Sequence, residues 1–230
     1  MTAPCPLAPA IAIVGAESTG KTDLAAALAD RLRARGLRVA VVDEVLRGWC
    51  VREGRTPRPD EQMAIAAEQA CRTDAARARP GTDLVVTDTT PLMTAVYSEL
   101  LFDDLSLYPF ALEHQRGYAA TLLTGLDLPW VADGLQRDGP QVREPVDDRV
   151  RAALQHARLP YQVVYGQGDA RALHAFDAIE SIADGRRHTK ATATFSSKTG
   201  FAALLRCEGC GDPGCERRLF RDLQDRGRAS

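Results

Sequence analysis

The sequence predicts an α/β three-layer sandwich in which helices cover both faces of a five-stranded parallel sheet. Short apolar runs recur five times along the chain and alternate with helical stripes. Such alternation gives parallel strands joined by right-handed crossovers. The first run leads directly into a glycine-rich loop motif. With 230 residues, of which 45% are hydrophobic and 26% charged, the chain suits one packed domain and at most a small appendage.

The five expected strands are short and apolar, as strands buried on both faces of a sheet should be. They are Ala10–Gly15, Val39–Val42, Leu84–Val86, Thr121–Thr124 and Tyr161–Tyr165. Helices are expected at residues 24–32, 60–79, 90–101, 109–118, 146–158 and 169–183. In the third helix Thr90 is the expected hydroxyl cap before Pro91. The segment from Asp133 to Pro145, rich in Gly, Pro, Asp and Arg, is expected to be a loop.

The glycine-rich loop after the first strand has the pattern of a phosphate-binding loop. Residues 15–22 read Gly-Ala-Glu-Ser-Thr-Gly-Lys-Thr and match G-x-x-x-x-G-K-[ST] in full. Such a loop wraps a triphosphate with backbone N–H groups, while the next helix points the positive end of its dipole at the anion. Lys21 is expected to reach the phosphates of ATP and the Thr22 hydroxyl to join Mg²⁺. The candidate phosphate-binding residues are Gly15, Ser18, Thr19, Gly20, Lys21 and Thr22.

Two further strands end in acidic residues. In P-loop sheets the acid that serves the metal lies on the strand beside the P-loop strand, here the third strand in sequence order, so Asp88 is the expected Mg²⁺ partner. Asp43 and Glu44 end the more distant second strand and face the phosphoryl acceptor, where either could take its hydroxyl proton. The pattern does not choose between Asp43 and Glu44, and ordinary solvation of a strand end is the competing interpretation for the pair.

Four separated motifs occur in an order that is typical of one enzyme family. They are the loop with its internal Glu17-Ser18, Glu44 followed by Arg47, Thr87-Asp88-Thr89 leading to Tyr97-Ser-Glu-Leu, and Asp127-Leu-Pro-Trp-Val-Ala-Asp133-Gly-Leu. Over roughly residues 10–185 the chain resembles the nicotinamide riboside kinase domain of bacterial NAD-biosynthesis regulators and its stand-alone relatives. The resemblance implies a P-loop kinase that phosphorylates the 5′-hydroxyl of a ribosyl nucleoside with ATP and Mg²⁺, with nicotinamide riboside, which would give NMN, as the leading acceptor.

The resemblance also implies roles for individual residues. Trp130 and Asp133 would lie beside the nucleoside, and Glu44 with Arg47 at the acceptor end. An aromatic plane such as Trp130 can stack on a pyridinium or base ring, but a tryptophan after a strand is about as often a core or rim residue. Asp43 stands where relatives often carry an apolar residue or proline, so the base stays unassigned between Asp43 and Glu44.

The loop after Asp133 is expected to act as a lid. A kinase must exclude water from the γ-phosphate and supply positive charge to its oxygens, and Arg137 and Arg143 on a mobile loop could do both. Either arginine could equally be a solvated loop charge. Gly168 follows the last strand and is placed like the adenine-contacting loop of related kinases, with a plain strand-to-helix turn as the alternative.

Residues 186–230 are expected to form a basic, cysteine-containing tail that packs on the kinase domain of residues 1–185. The tail carries ten Lys/Arg against five Asp/Glu. Cys207, Cys210 and Cys215 place three thiols within nine positions, as a small loop does for Zn²⁺, although a fourth ligand is missing. A structural Zn²⁺, reduced structural thiols and redox chemistry therefore all stay open.

Charge and hydropathy limit the partners of the protein. The acidic excess of residues 1–185 disfavours nucleic acid as a partner. No uncharged stretch reaches the roughly 20 residues of a membrane span, and the first residues lack the basic region of a signal peptide. We expect a cytoplasmic protein, without a membrane partner, that takes a small-molecule nucleoside; a homo-oligomer stays open.

Two other functions remain as alternatives. One is a nucleotide-responsive regulatory ATPase that acts on a protein partner through the cysteine-bearing tail. The other is a nucleoside or nucleotide kinase with a different acceptor. The predicted lid favours transfer to a bound molecule over the first alternative. The second differs only in the shape of the acceptor pocket, which a sequence does not show.

Overall fold

A five-stranded parallel sheet forms the core of the described part of the chain. The structure, a computed structural model, describes residues 7–131 and 140–193. Its strands are β1 (Ala10–Val14), β2 (Val39–Val42), β3 (Leu84–Asp88), β4 (Ala120–Thr124) and β5 (Gln162–Val164). They lie in the order β2-β3-β1-β4-β5, and every neighbouring pair is parallel. The predicted sheet is thus confirmed, with β3 beside β1 and β2 farther out, as the sequence analysis expected.

Seven α-helices lie within the described residues. They are α1 (Lys21–Ala34), α2 (Val45–Glu53), α3 (Gln62–Ala78), α4 (Pro91–Phe102), α5 (Tyr108–Gln115), α6 (Arg143–His156) and α7 (Gly168–Ala193). Short 3₁₀ turns at Pro59–Glu61 and Pro140–Val142 precede α3 and α6. The predicted domain boundary at residue 185 and the packing of the tail stay predictions, and Cys207, Cys210 and Cys215 lie outside the described residues.

Neighbouring strand residues pack against helices on opposite faces of the sheet. Ile13 of β1 belongs to a buried cluster with Leu28 of α1 and Phe176 of α7. The next residue, Val14, points the other way and joins a second cluster with Val150 of α6. All five side chains are at most 1% exposed. Helices therefore cover both faces, which gives the three layers of the predicted sandwich.

Helix α2, which follows directly on β2, is not predicted by the sequence pattern. This nine-residue helix buries Val45, Leu46 and Cys50 and ends at Gly54 in a left-handed conformation. So short a helix has little stability of its own and depends on tertiary packing. Gln69 of α3 supplies part of that support, because its Oε1 accepts a hydrogen bond of 2.9 Å from the Val45 N–H.

Two local predictions need correction. The segment predicted as a loop up to Pro145 is helical from Arg143 onward. Proline is tolerated there because the first N–H groups of a helix have no partner within it. Thr90 does precede α4, but its hydroxyl donates to Gln115 Oε1 at 2.7 Å and makes no capping hydrogen bond to the helix.

We predict that Leu28→Ala lowers the free energy of unfolding by about 2–5 kcal/mol, because it leaves a cavity between the sheet and α1. Leu28 is fully buried. The matched control is Leu101→Ala on α4, where the leucine is 51% exposed and the change should stay within about 0.5 kcal/mol. Chemical denaturation measures both variants. Equal losses for the two would contradict this assignment of the core.

Candidate active site

The glycine-rich loop connects β1 to α1 and lies directly against the end of β4. Gly15 has φ +146°, and a Cβ at this position would lie 2.1 Å from Thr124 Oγ1. No side chain fits in that space. Gly20, with φ +70°, turns the chain into α1. Glycine is favoured at both positions, because L-residues with a side chain rarely adopt such conformations.

Two hydrogen bonds to the Ala16 carbonyl hold the loop in shape. The Thr19 hydroxyl donates one at 2.7 Å and the Lys21 ammonium the other at 2.8 Å. Thr19 Oγ1 also lies 2.7 Å from Thr124 Oγ1, and both threonines are fully buried. Thr124 therefore supports the loop from the strand next to β1.

Thr22 and Asp88 are brought together at the start of α1. The Thr22 hydroxyl donates to Asp88 Oδ2 at 2.6 Å. Asp88, the last residue of β3, is only 3% exposed, and its Oδ1 has no hydrogen-bond partner among the described residues. Magnesium prefers hard oxygen ligands and keeps several waters. A hydroxyl beside a carboxylate with a free buried oxygen fits such an ion.

Glu44 lies close enough to Lys21 and Asp88 to interact with both electrostatically. It precedes α2, its side chain is 11% exposed, and its Oε2 lies 3.4 Å from Arg47 Nε. Burial raises the pKa of the Glu44 carboxyl, the positive charges of Lys21 and Arg47 lower it, and the negative charge of Asp88 raises it further. Glu44 therefore interacts electrostatically with Lys21 of the glycine-rich loop and with Asp88 at the end of β3.

Asp43, the other candidate base, is placed differently. Its residue is exposed, and its backbone carbonyl accepts a 3.4 Å hydrogen bond from Gln69 Nε2. The same Gln69 side chain binds the N–H of Val45. Gln69 thus bridges the end of β2 and the start of α2. The structure therefore favours Glu44 over Asp43 as the group that faces the site.

A pocket of about 570 Å³ opens over the loop. Leu128, Pro129 and Val131 form part of its wall, and the Val131 N–H donates to Ser18 Oγ of the loop at 2.7 Å. The described lining residues are Ser18, Thr19, Gly20, Lys21, Thr22, Asp23, Arg47, Leu128, Pro129, Val131 and Gln167. Trp130 is half-buried and is not among them.

The turn between β5 and α7 also reaches this pocket. Gln167 contributes to the lining, and the neighbouring Gly168 starts α7 with φ +52° and open space around it. The structure therefore brings the predicted adenine-side turn to the same pocket as the phosphate loop. The contact of Gly168 itself with a nucleotide stays a prediction.

Arg143 differs from the free lid arginine that the sequence analysis expected. It is the first residue of α6 and only 7% exposed. Its guanidinium donates to the backbone carbonyls of Leu128 at 2.8 Å and Leu126 at 3.2 Å. The side chain therefore fastens the pocket wall instead of extending from a loop. Arg137 and Asp133 lie outside the described residues.

Two residues of the site were missed in the sequence analysis, namely Thr124 and Arg171. Arg171 is 4% exposed and donates from Nη2 to the Thr19 carbonyl at 2.8 Å. Burial lowers the pKa of the Arg171 guanidinium, and the negative charge of Asp127 opposes that shift. The position of Thr124 at the end of a strand gives only a weak indication in the sequence that it belongs to the site. Arg171 is one arginine in a helix of an arginine-rich chain, so the sequence gives no indication of its role.

The described residues also bear on the cysteines, on metal binding and on membrane spans. Cys50 is buried and Cys71 exposed, and both are free thiols. No cluster of three or more His, Cys, Asp or Glu side chains suited to a metal occurs within residues 7–131 and 140–193. Over those same residues, no helix combines the length and the apolar character that crossing a membrane requires.

Comparison with known proteins places the fold. The structure is similar to NadR in complex with NR, with a TM-score of 0.62, 19% identity and coverage of 77% of this chain and 51% of that chain. NadR in complex with NAD and AMP-PNP gives a TM-score of 0.60 at 19% identity, covering 77% and 50%. Thymidylate kinase from Ehrlichia chaffeensis gives 0.54 at 16% identity, covering 77% and 100%. The chain therefore shares its fold with NadR and with thymidylate kinase, and it spans about half the length of the NadR chains.

Sequence comparison gives the family. None of the curated proteins matches the sequence. A family model described as an AAA domain, AAA_28, matches residues 10–171 and so includes the loop at residues 15–22, all five strands and Arg171. The chain belongs to the AAA_28 family of AAA domains.

Proposed function

We propose that the chain is an ATP-dependent kinase that transfers the γ-phosphoryl group to the 5′-hydroxyl of a ribosyl nucleoside. Nicotinamide riboside, which would give NMN, is the first candidate acceptor. The observation that carries the proposal is the position of Glu44, a largely buried carboxyl that interacts electrostatically with both Lys21 and Asp88. It supports a role for Glu44 as the proton acceptor near the loop that would hold the phosphates.

The nucleotide half of the site accounts for ATP binding. Backbone N–H groups of the loop and the Lys21 ammonium would hold the β- and γ-phosphates. Thr22 and Asp88 would hold Mg²⁺, which when bound neutralises charge on the phosphate oxygens. In this structure Lys21 binds the Ala16 carbonyl, so phosphate would replace one hydrogen-bond acceptor of the ammonium by a charged one.

Glu44 and Arg47 would form the acceptor half of the site, where the γ-phosphoryl group is transferred. Glu44 would take the proton of the acceptor hydroxyl while that oxygen bonds to the γ-phosphorus and the bond to the β–γ bridging oxygen breaks. ADP then leaves with the bridging oxygen. Arg47 lines the pocket beside the cradle and pairs with Glu44. It would keep the carboxylate oriented until the acceptor is bound.

Two observations support nicotinamide riboside among the nucleosides. The four motifs resemble the riboside kinase domain in their order, and NadR, whose fold this chain shares, has been observed in complex with NR. Trp130, half-buried and between the lining residues Pro129 and Val131 in the sequence, would offer its ring to the pyridinium through stacking. The thymidylate kinase likeness keeps other nucleosides and nucleotides in the test.

We predict that ADP release from ATP requires a nucleoside and that nicotinamide riboside gives the highest kcat/KM in a panel with adenosine, deoxyadenosine, thymidine and thymidylate. A coupled assay for ADP, with mass spectrometry of the phosphorylated product, measures this. ADP release at one rate with and without every acceptor would instead show the regulatory ATPase. A preference for another acceptor would reject nicotinamide riboside but keep the kinase.

Lys21→Ala is expected to lower kcat by about 10²-fold or more, because it removes the charge that stabilises the transferring phosphoryl group. Arg33→Ala on the same helix is the matched control, since this arginine is 47% exposed and binds Asp30 and the Val39 carbonyl. Retained turnover in Lys21→Ala would contradict the assignment of the phosphate loop.

We predict that Glu44→Gln lowers kcat by about 10²–10⁴-fold, as loss of a general base does, while Asp43→Asn stays near wild type. In the wild type, kcat/KM should fall on the acid side at a pH above the ordinary glutamate value of 4.5, because burial raises the pKa of Glu44. The pH–rate profiles of the three proteins measure this. A stronger loss in Asp43→Asn than in Glu44→Gln would reverse the assignment.

The raised pKa of Glu44 should also affect the stability of the fold. A carboxyl whose pKa is raised in the folded state favours folding below its ordinary pKa, and this contribution is lost as pH rises through the raised value. Glu44→Gln should therefore unfold at a temperature equal to or above that of the wild type at neutral pH, and its advantage should vanish near pH 4.5. Thermal unfolding at both pH values checks that the lost activity is not lost structure.

A further inference from the structure

Arg171 lies where three loop segments of the site meet. Its Nη2 donates to the Thr19 carbonyl of the phosphate loop at 2.8 Å. Its Nη1 donates to the Gly166 carbonyl at 3.0 Å and lies 3.5 Å from Asp127 Oδ1. The guanidinium thus touches the loop after β1, the loop after β4 and the turn after β5.

Asp127 completes this arrangement from the loop after β4. Its second oxygen, Oδ2, accepts a 2.7 Å hydrogen bond from the Gly166 N–H. Gly166 therefore has its N–H bound to Asp127 and its carbonyl bound to Arg171. Because the N–H and the carbonyl of Gly166 are both hydrogen-bonded, Asp127 and Arg171 together set the position of the next residue, Gln167.

The two ends that Arg171 joins belong to one pocket. Thr19 and Gln167 both line it, on the phosphate side and on the side of the β5–α7 turn. Thr19 is already held through its hydroxyl by Thr124, so the guanidinium adds a constraint between the loop and the turn. A buried charge is costly unless its hydrogen bonds compensate, and a plain helix-packing role would be served by an apolar residue.

We propose that Arg171 is a positioning residue that sets the distance between the phosphate loop and the β5–α7 turn, and so couples recognition of the base to binding of the phosphates. The inference rests on the proposed function, since it takes the pocket as a site for a nucleoside triphosphate. Arg171 does not touch the reacting atoms. Its effect falls on ligands that reach from one end of the pocket to the other.

The test compares a ligand that spans the pocket with one that fills only its phosphate end. Calorimetry measures Kd for MgATP and for magnesium tripolyphosphate with the wild type and Arg171→Gln. MgATP should bind Arg171→Gln about 10-fold or more weakly, as expected for loss of charge-assisted hydrogen bonds. Tripolyphosphate should lose less than about 3-fold, because it has no base to be positioned.

A matched control and a conservative variant separate this role from general packing. Arg151→Gln removes an arginine that pairs with Asp147 on α6 at 2.6 Å and should leave both Kd values unchanged. Arg171→Lys keeps the charge but cannot bind Thr19 and Gly166 together, so it should give an intermediate MgATP affinity. It also provides the measurement if Arg171→Gln does not fold, which melting curves show.

If Arg171→Gln weakened the binding of MgATP and of tripolyphosphate equally, the proposal would be overturned, because Arg171 would then only support the phosphate loop. Unchanged MgATP binding would overturn it as well. If the wild type binds neither ligand, the proposed function fails first, before any variant is compared. The two failures are therefore distinguished by the wild-type titration.

Discussion

The close approach of the glycine-rich loop to the end of β4 is the constraint on which the site depends. Thr124 Oγ1 occupies the space that a Cβ at Gly15 would need and lies 2.7 Å from Thr19 Oγ1. The loop therefore packs on the strand with no side chain between them. The strand order places β3 on the other side of β1, so the same loop leads α1 to a point where Thr22 meets Asp88.

Charged groups are buried around this loop because each has a polar partner. Asp88 receives the Thr22 hydroxyl, Glu44 pairs with Arg47, and Arg171 binds backbone carbonyls. Electrostatic interactions are stronger in such surroundings than in water. Phosphoryl transfer requires little covalent chemistry from the protein and much electrostatic positioning. A cleft with buried, oriented charges suits this requirement, and the raised pKa of Glu44 follows from the same burial.

The features that could be predicted from the sequence are those that a short stretch of residues determines. The strands and the loop at residues 15–22 follow from apolar runs and a motif, and the place of Asp88 follows from its position at the end of β3. The short α2, the buried Arg143 and the bridging Arg171 depend on contacts between distant segments. Arg143 binds carbonyls about 15 residues away and Arg171 one that is 152 residues away. Neither contact leaves a periodic pattern.

Nucleotide binding by Gly15→Ala tests the central claim most directly. Its matched control is Gly36→Ala, since Gly36 also has positive φ, +83°, but a Cβ there would meet nothing within 4 Å. Calorimetry should show saturable MgATP binding to Gly36→Ala, and none to a folded Gly15→Ala, because the added methyl group would displace the loop from Thr124. MgATP binding to Gly15→Ala with the affinity of the wild type would contradict the account.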